Sequence, residues 1–171
     1  MTKFNGFDFY DKKQVVLTSG IPSAYVNAAS NTKITSVFVP ANTFAAGDIL
    51  SIEWVIRLTG ATSGNTTLFL YWNETDDLTT PTQLQTRNTS NATVSKRNSL
   101  NRRLSIAVAN GTGNGSIMYG VAGAQDTDFP AVTFAISSGL VLNWTIDSYI
   151  VLSGFSTINT GIRTEFFKVS N

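Results

Sequence analysis

Three carboxylates crowd the stretch NETDD as Glu74, Asp76 and Asp77, and two more, Asp126 and Asp128, sit in QDTD. Clustered carboxylates suit two kinds of chemistry. They can hold Ca²⁺, which takes six to eight oxygens. Two of them, about 5–9.5 Å apart, can also share the acid and base work of glycan cleavage. Against both stands the ordinary use of Asp and Asn in turns, where the side chain bonds its own backbone. The spacing lacks the turn glycine and distal glutamate of a full calcium loop. Glu74, Asp76 and Asp77 remain weak calcium candidates beside the turn reading, and no metal or cofactor is expected. The chain has no histidine and no cysteine, which removes the commonest general base, the commonest zinc ligands and all thiolate chemistry. The expectation is a protein that is not an enzyme, with no catalytic residues.

A basic cluster follows: Arg87, Lys96, Arg97, Arg102 and Arg103. Nucleic-acid binding adds stacking aromatics beside such charges, and none lies between Arg87 and Arg103. A solvated loop, or docking on an acidic protein shell or neighbouring subunit, fits the composition better than nucleic acid. Arg97, Arg102 and Arg103 are therefore interface candidates. The run TTLFLYWN offers two more, because apolar residues occupy both of its faces: Leu68, Leu70 and Trp72 on one, Phe69 and Tyr71 on the other. Such a strand is either covered on both sides or meets another subunit. The same question touches Tyr149, Val151 and Phe167. Aromatics could instead stack a sugar ring; Trp54 and Trp144 alternate inward, so Trp72 with Asn73 is the pair that fits a host-surface glycan best.

The elements that hold these residues are strands. In ILSIEWVIRLT, Leu50, Ile52, Trp54, Ile56 and Leu58 share one face while Ser51, Glu53, Arg57 and Thr59 take the other, a period of two. NWTIDSYIVL, RRLSIAVANG and AVTFAIS repeat the pattern, and QVVLTS, AYVNAAS, KITSVFV, SIMYGVAG and IRTEFFKV are further candidates. Turn chemistry separates them: Asn110-Gly111 and Asn114-Gly115 in ANGTGNGS, Ser63-Gly64-Asn65, and the corner from Asp126 to Pro130. Glu74 to Asn101 is the least regular part. No window carries a helical stripe. The pattern predicts an all-β fold, an antiparallel jelly-roll β-sandwich of about 8–10 strands, in one domain over residues 1–171 with residues 1–12 as an N-terminal arm.

Charged residues are only 13% of the chain and the formal net charge is +1, so no global field steers it to nucleic acid or acidic lipid. The opening MTKFNGFDFYDKK lacks the apolar core of a signal peptide, and no apolar run reaches the length of a membrane-spanning helix. Seven Asn-x-Ser/Thr triplets occur, Asn73, Asn88, Asn91 and Asn110 among them, and read as composition rather than glycan sites.

The connection VPANTFAAGDIL is too long for a hairpin. Pro40 cannot donate to a ladder and ends its strand; Phe44 turns inward to plug the end of the sandwich; Gly47-Asp48 restarts the chain. This corner carries a resemblance. The run KITSVFVPANTFAAGDILSIEWVIRLTGATSGNTTLFLYWNETDDL is similar to a pattern in structural proteins of tailed bacteriophages, at Val39 to Phe44, Gly47-Asp48, Thr59 to Asn65 and Tyr71 to Asn73, with a weaker likeness over Trp144 to Tyr149. The similar proteins are jelly-roll modules of fibres, spikes and capsid decorations, often trimeric and related in shape to the tumour-necrosis-factor fold. The resemblance implies a non-enzymatic virion protein, a homotrimer attached to capsid or tail, with itself and other virion proteins as partners and neither nucleic acid nor membrane. A carbohydrate-binding module recognising host-surface glycan is the alternative; a glycan hydrolase using the acidic loops comes third.

Overall fold

Alternating side chains carry the chain into strands wherever one face has a core to meet, and the computed structural model shows twelve of them among its described residues. They are β1 (Thr2–Phe4), β2 (Phe7–Phe9), β3 (Val16–Thr18), β4 (Thr32–Val39), β5 (Ile49–Thr59), β6 (Gly64–Asn73), β7 (Thr82–Asn91), β8 (Arg97–Ile106), β9 (Thr112–Tyr119), β10 (Ser137–Asn143), β11 (Ser148–Ser156) and β12 (Gly161–Ser170). The structure describes residues 2–4, 7–9, 15–19, 23–27, 29–45, 48–59, 64–91, 97–106, 112–119, 137–156 and 161–171, with β1, β2, β8 and β9 described by their backbone alone. AVTFAIS up to Ile136, the Asp126–Pro130 corner, Lys96, Gly47 and the Asn110-Gly111 pair lie outside the described residues.

Two antiparallel sheets face each other. One has the order β10-β9-β8-β5-β12-β3, the other β4-β11-β6-β7, and β1 with β2 forms a separate ribbon. The chain passes between the two sheets from β3 to β4, from β4 to β5, from β5 to β6, from β7 to β8, from β10 to β11 and from β11 to β12. The result is an all-β antiparallel sandwich. Its core takes Ile34, Val37 and Val39 from β4 and Leu68, Leu70 and Trp72 from β6 on one side. Leu50, Ile52, Trp54, Ile56 and Leu58 of β5 meet them from the other, with Phe167 and Val169 of β12. The fully alternating burial of β5 from Ser51 to Leu58 is the pattern read from the sequence.

The Val39–Leu50 connection behaves as its residues dictate. β4 stops at Val39, before Pro40. Asn42, at φ 59°, turns the chain, and its N–H donates to the Trp144 carbonyl at 2.7 Å. Asn tolerates this left-handed backbone better than most residues. Ala41 N donates to Asp147 Oδ1 at 2.9 Å, and Asp48 Oδ2 accepts from Ala45 N at 2.9 Å. Phe44 is 2% exposed and meets Trp144 edge to face at 5.5 Å; Trp144 in turn meets Trp72 at 6.5 Å. The aromatic in the middle of the loop is the plug of the sandwich.

Four expectations are corrected. NWTIDSYIVL is not one strand: β10 ends at Asn143 and β11 begins at Ser148. Asn143 Oδ1 accepts from Thr145 N at 3.0 Å and from Thr145 Oγ1 at 2.6 Å, an Asx turn that breaks the ladder. AYVNAAS is not a strand either; it contributes a single bridge, Val26 with Ile162. Asn114-Gly115 is not a turn but lies in β9, opposite Val141 and Leu140. The stretch from Glu74 to Asn101, expected to be irregular, holds all of β7 and the start of β8. β7 is an edge strand and needs few apolar residues to bind its sheet, so Leu84 alone marks its inner face.

Candidate functional site

The outer face of the four-stranded sheet is aromatic. Register puts Phe38 opposite Tyr149, Val151 opposite both Ser36 and Tyr71, and Ser153 opposite Phe69, with Phe155 opposite Thr67 beyond them. Phe69 stacks on Tyr71 at 5.8 Å and on Phe155 at 6.0 Å, and Phe38 meets Tyr149 at 5.3 Å. Tyr71 is pinned: Asn31 Nδ2 donates to its hydroxyl at 3.1 Å, and Asn31 Oδ1 accepts from Ser153 Oγ at 2.7 Å. Val151 and Ser153 are fully buried although they point away from the sandwich core. Around them Phe69, Tyr149 and Phe155 stay half-buried, and Phe38 is 45% exposed. Gly154 lets β11 and β6 sit this close, since a Cβ there would come within 2.7 Å of the Thr67 carbonyl oxygen.

The six-stranded sheet presents a different outer face. Lys168 Nζ lies 3.0 Å from Glu53 Oε2 across β12 and β5. Glu165 Oε1 receives Arg163 at 3.3 Å and Arg57 at 3.9 Å, and the Arg163 guanidinium sits 4.7 Å over the Tyr25 ring. Phe166, 40% exposed, and half-buried Val55 lie opposite each other between these charges.

The sequence-derived candidates separate on this frame. Phe69 and Tyr71 come together on the aromatic face, and Tyr149 and Val151 join them. Phe167 does not: it is fully buried and faces Trp54 at 6.5 Å in the core, because a bulge between Thr164 and Phe166 shifts the phase of β12 and turns Phe166 outward instead. Arg97, Arg102 and Arg103 lie on β8 opposite Arg57, Ile52 and Ser51. Adjacent strand positions belong to opposite faces of a sheet, so the register divides Arg102 from Arg103 and Arg97 rather than joining them in one patch. Trp72 and Asn73 are 6% and 4% exposed, which removes the sugar platform expected there and the glycan reading of Asn73 with it.

The acidic loop is spent on its own geometry. Asp77 Oδ1 accepts from Thr79 N at 2.8 Å and Thr75 Oγ1 at 2.8 Å, while Asn73 Nδ2 donates to the Asp77 and Thr79 carbonyls at 3.0 and 3.2 Å. The Thr79 backbone bond, then the Thr75 hydroxyl, holds the Asp77 carboxyl below its ordinary pKa. Asp76 turns the other way and pairs with Lys33 and Ser36 of β4. Glu74, Asp76 and Asp77 are thus not gathered on one centre, and among the described residues no three acidic side chains group as metal ligands. Asp126 and Asp128 lie outside the described residues.

Phe38 and Phe155 escaped the sequence reading. Phe155 lies beyond the last residue assigned to its strand, and Phe38 alternates with buried Val37 and Val39 in KITSVFV, a run whose two faces the sequence reading did not divide. Among the described residues no helix is long and apolar enough to cross a membrane. No family model, no curated protein and no solved structure matches the chain.

Proposed function

We propose that the protein is a non-enzymatic structural subunit of a tailed-bacteriophage virion, a jelly-roll sandwich that assembles with copies of itself, as a trimer, and attaches to capsid or tail as a decoration, fibre-base or spike component. The virion assignment comes from the likeness around the Pro40–Asp48 corner. The wrapping supports the jelly roll: β3, β12, β5 and β8 face β4, β11, β6 and β7, with successive connections crossing between the layers. The observation that carries self-association is the aromatic face. Phe38 with Tyr149, and Phe69 with Phe155, are ring pairs that keep part of their surface exposed on a chain with only 13% charged residues, and aromatic residues are what protein interfaces concentrate. Rigid strands hold the face in place, so little ordering entropy opposes association.

Light scattering tests it. A species near three times 18.4 kDa is expected, each interface burying more than about 1,000 Å². Phe69→Lys with Phe155→Lys should reduce the mass to that of one chain. A wild-type chain that is single at micromolar concentration overturns the assembly reading, and purified particles that lack the protein by mass spectrometry overturn the virion assignment.

A further inference from the structure

β1 and β2 pair only with each other among the described strands: Thr2 lies opposite Phe9, Lys3 opposite Asp8 and Phe4 opposite Phe7. Opposed residues share a face and successive ones alternate. The register therefore places Phe4, Phe7 and Phe9 on one face of the ribbon, with Thr2, and Lys3 with Asp8 on the other. Between the strands the sequence reads Asn5-Gly6, the pair most favoured in a two-residue hairpin. A two-stranded ribbon is marginal in water unless its apolar face packs on something, so three phenylalanines on one face demand a surface.

The surface that fits is the outer face of the four-stranded sheet. The ribbon leads into β3, whose approach is fastened where Val15 N donates to Asn171 Oδ1 at 2.8 Å. From Phe9 to Val15 the chain can extend at most about 20 Å, enough to carry the ribbon off its own sandwich. A ribbon of two strands covers two of the three strands, β4, β11 and β6, on which the aromatics lie. In the single chain, with its own ribbon present, Phe38 remains 45% exposed and Phe69 and Phe155 half-buried. That much of the face is uncovered in the single chain, and an identical ribbon comes with every other copy.

We propose that β1–β2 is an exchange arm: Phe4, Phe7 and Phe9 of one copy cover the Phe38, Tyr149, Phe69 and Phe155 face of a second copy. The inference rests on the self-association proposed above and names the segment that accomplishes it. Rings on rings supply the apolar contact, and Lys3 with Asp8 stays toward water, as a ribbon lying flat on a partner requires.

The test uses two variants of the full chain, read by light scattering with circular dichroism as the folding control. Phe4→Ser/Phe7→Ser/Phe9→Ser removes the apolar face of the ribbon, and Phe69→Lys/Phe155→Lys removes its seat. Each alone should run at the mass of one chain. Mixed in equal amounts at high concentration they should form a two-chain species, since one intact ribbon then meets one intact seat. Asp8→Lys, on the opposite ribbon face, should leave assembly unchanged, and Phe38→Lys serves in place of the double seat variant if that one loses its strand signal. If the ribbon variant keeps the wild-type mass, the arm falls while self-association stands. If the mixture stays at one chain, the ribbon acts within its own copy and exchange is overturned. A wild-type chain that is already single removes both readings.

Discussion

The two outer faces of the sandwich solve the same problem with different chemistry. On the six-stranded sheet, Glu53 with Lys168 and Arg57 with Glu165 pair across neighbouring strands, Arg163 with Glu165 along one, and their side chains stay 20–36% exposed. On the four-stranded sheet, Val151 and Ser153 are fully buried, with aromatic rings, Asn31 and the acidic loop around them. One sheet is packed on a single side; the other is packed on one side and half packed on the second. The lesson is that the direction in which a strand residue points does not decide its energetic weight. What covers it does.

A matched pair of substitutions puts the contrast at its sharpest. Val151 and Val55 both point away from the core, yet Val151 is fully buried and Val55 half-exposed. Val151→Ala should destabilise by about 2 kcal/mol, because it deletes close-packed methyls from a site that cannot collapse. Val55→Ala should cost about 0.5 kcal/mol, the usual surface value. Urea midpoints at a fixed protein concentration measure both. Equal losses would abolish the distinction between the faces.

The ion-paired face should answer to salt instead. Glu53→Gln breaks the 3.0 Å pair with Lys168 and should cost about 0.2–1 kcal/mol at low ionic strength. The loss should fade by about 1 M salt, where the Debye length is about 3 Å. Val151→Ala should keep its full effect in the same salt. A Glu53→Gln loss that persists undiminished would mean that its pair is insulated from solvent, against the reading of that face as wet.

Much of this architecture was legible because period two is a strong signal where a strand is buried on one side. Ile49 to Thr59 could hardly be anything else, and Pro40 with Phe44 announced a corner with a plug. The signal failed where packing does not need it. β7 and the start of β8 are polar strands held largely by their ladders, so QLQTRNTSN and RNSLNRR carry no hydrophobic rhythm to read. Bulges defeated it differently: one extra residue near Glu165 exchanges the faces of Phe166 and Phe167, and nothing in IRTEFFKV marks that residue. Trp72 misled through its neighbour Asn73; the pairing resembles a sugar platform, but Trp144 and Phe44 lie over the same end of the sandwich and close it. The aromatic face was visible only in part, because Phe69 and Tyr71 sit in one run while Phe38 and Phe155 come from strands brought beside it by the fold.

The smallest expected effect belongs to the rim of the aromatic face, and it is a matter of acid rather than salt. Asp77 closes the β6–β7 loop by accepting from Thr79 N and Thr75 Oγ1, and those bonds favour its charged form. Its pKa is lowered on folding. The ionised carboxylate therefore contributes stability that is complete above the ordinary aspartate value of about 3.9 and is lost as pH falls through the lower folded value. Asp77→Asn has no charge to lose in that window. The wild type should melt above the variant by a constant margin from pH 7 to about pH 4, and the margin should shrink as the pH is taken lower. The carboxylates the two chains share cancel in this difference, so the convergence reports Asp77 alone. The loop meets β4 through Asp76, Lys33 and Ser36, at the edge of the aromatic face. Acid should accordingly loosen this rim while Val151→Ala keeps its effect. A margin that is flat from pH 7 to pH 2.5 would show that the Asp77 bonds are as good to a neutral side chain as to a charged one. The loop would then be held by hydrogen bonds that need no charge on Asp77, and the ring face it borders by packing.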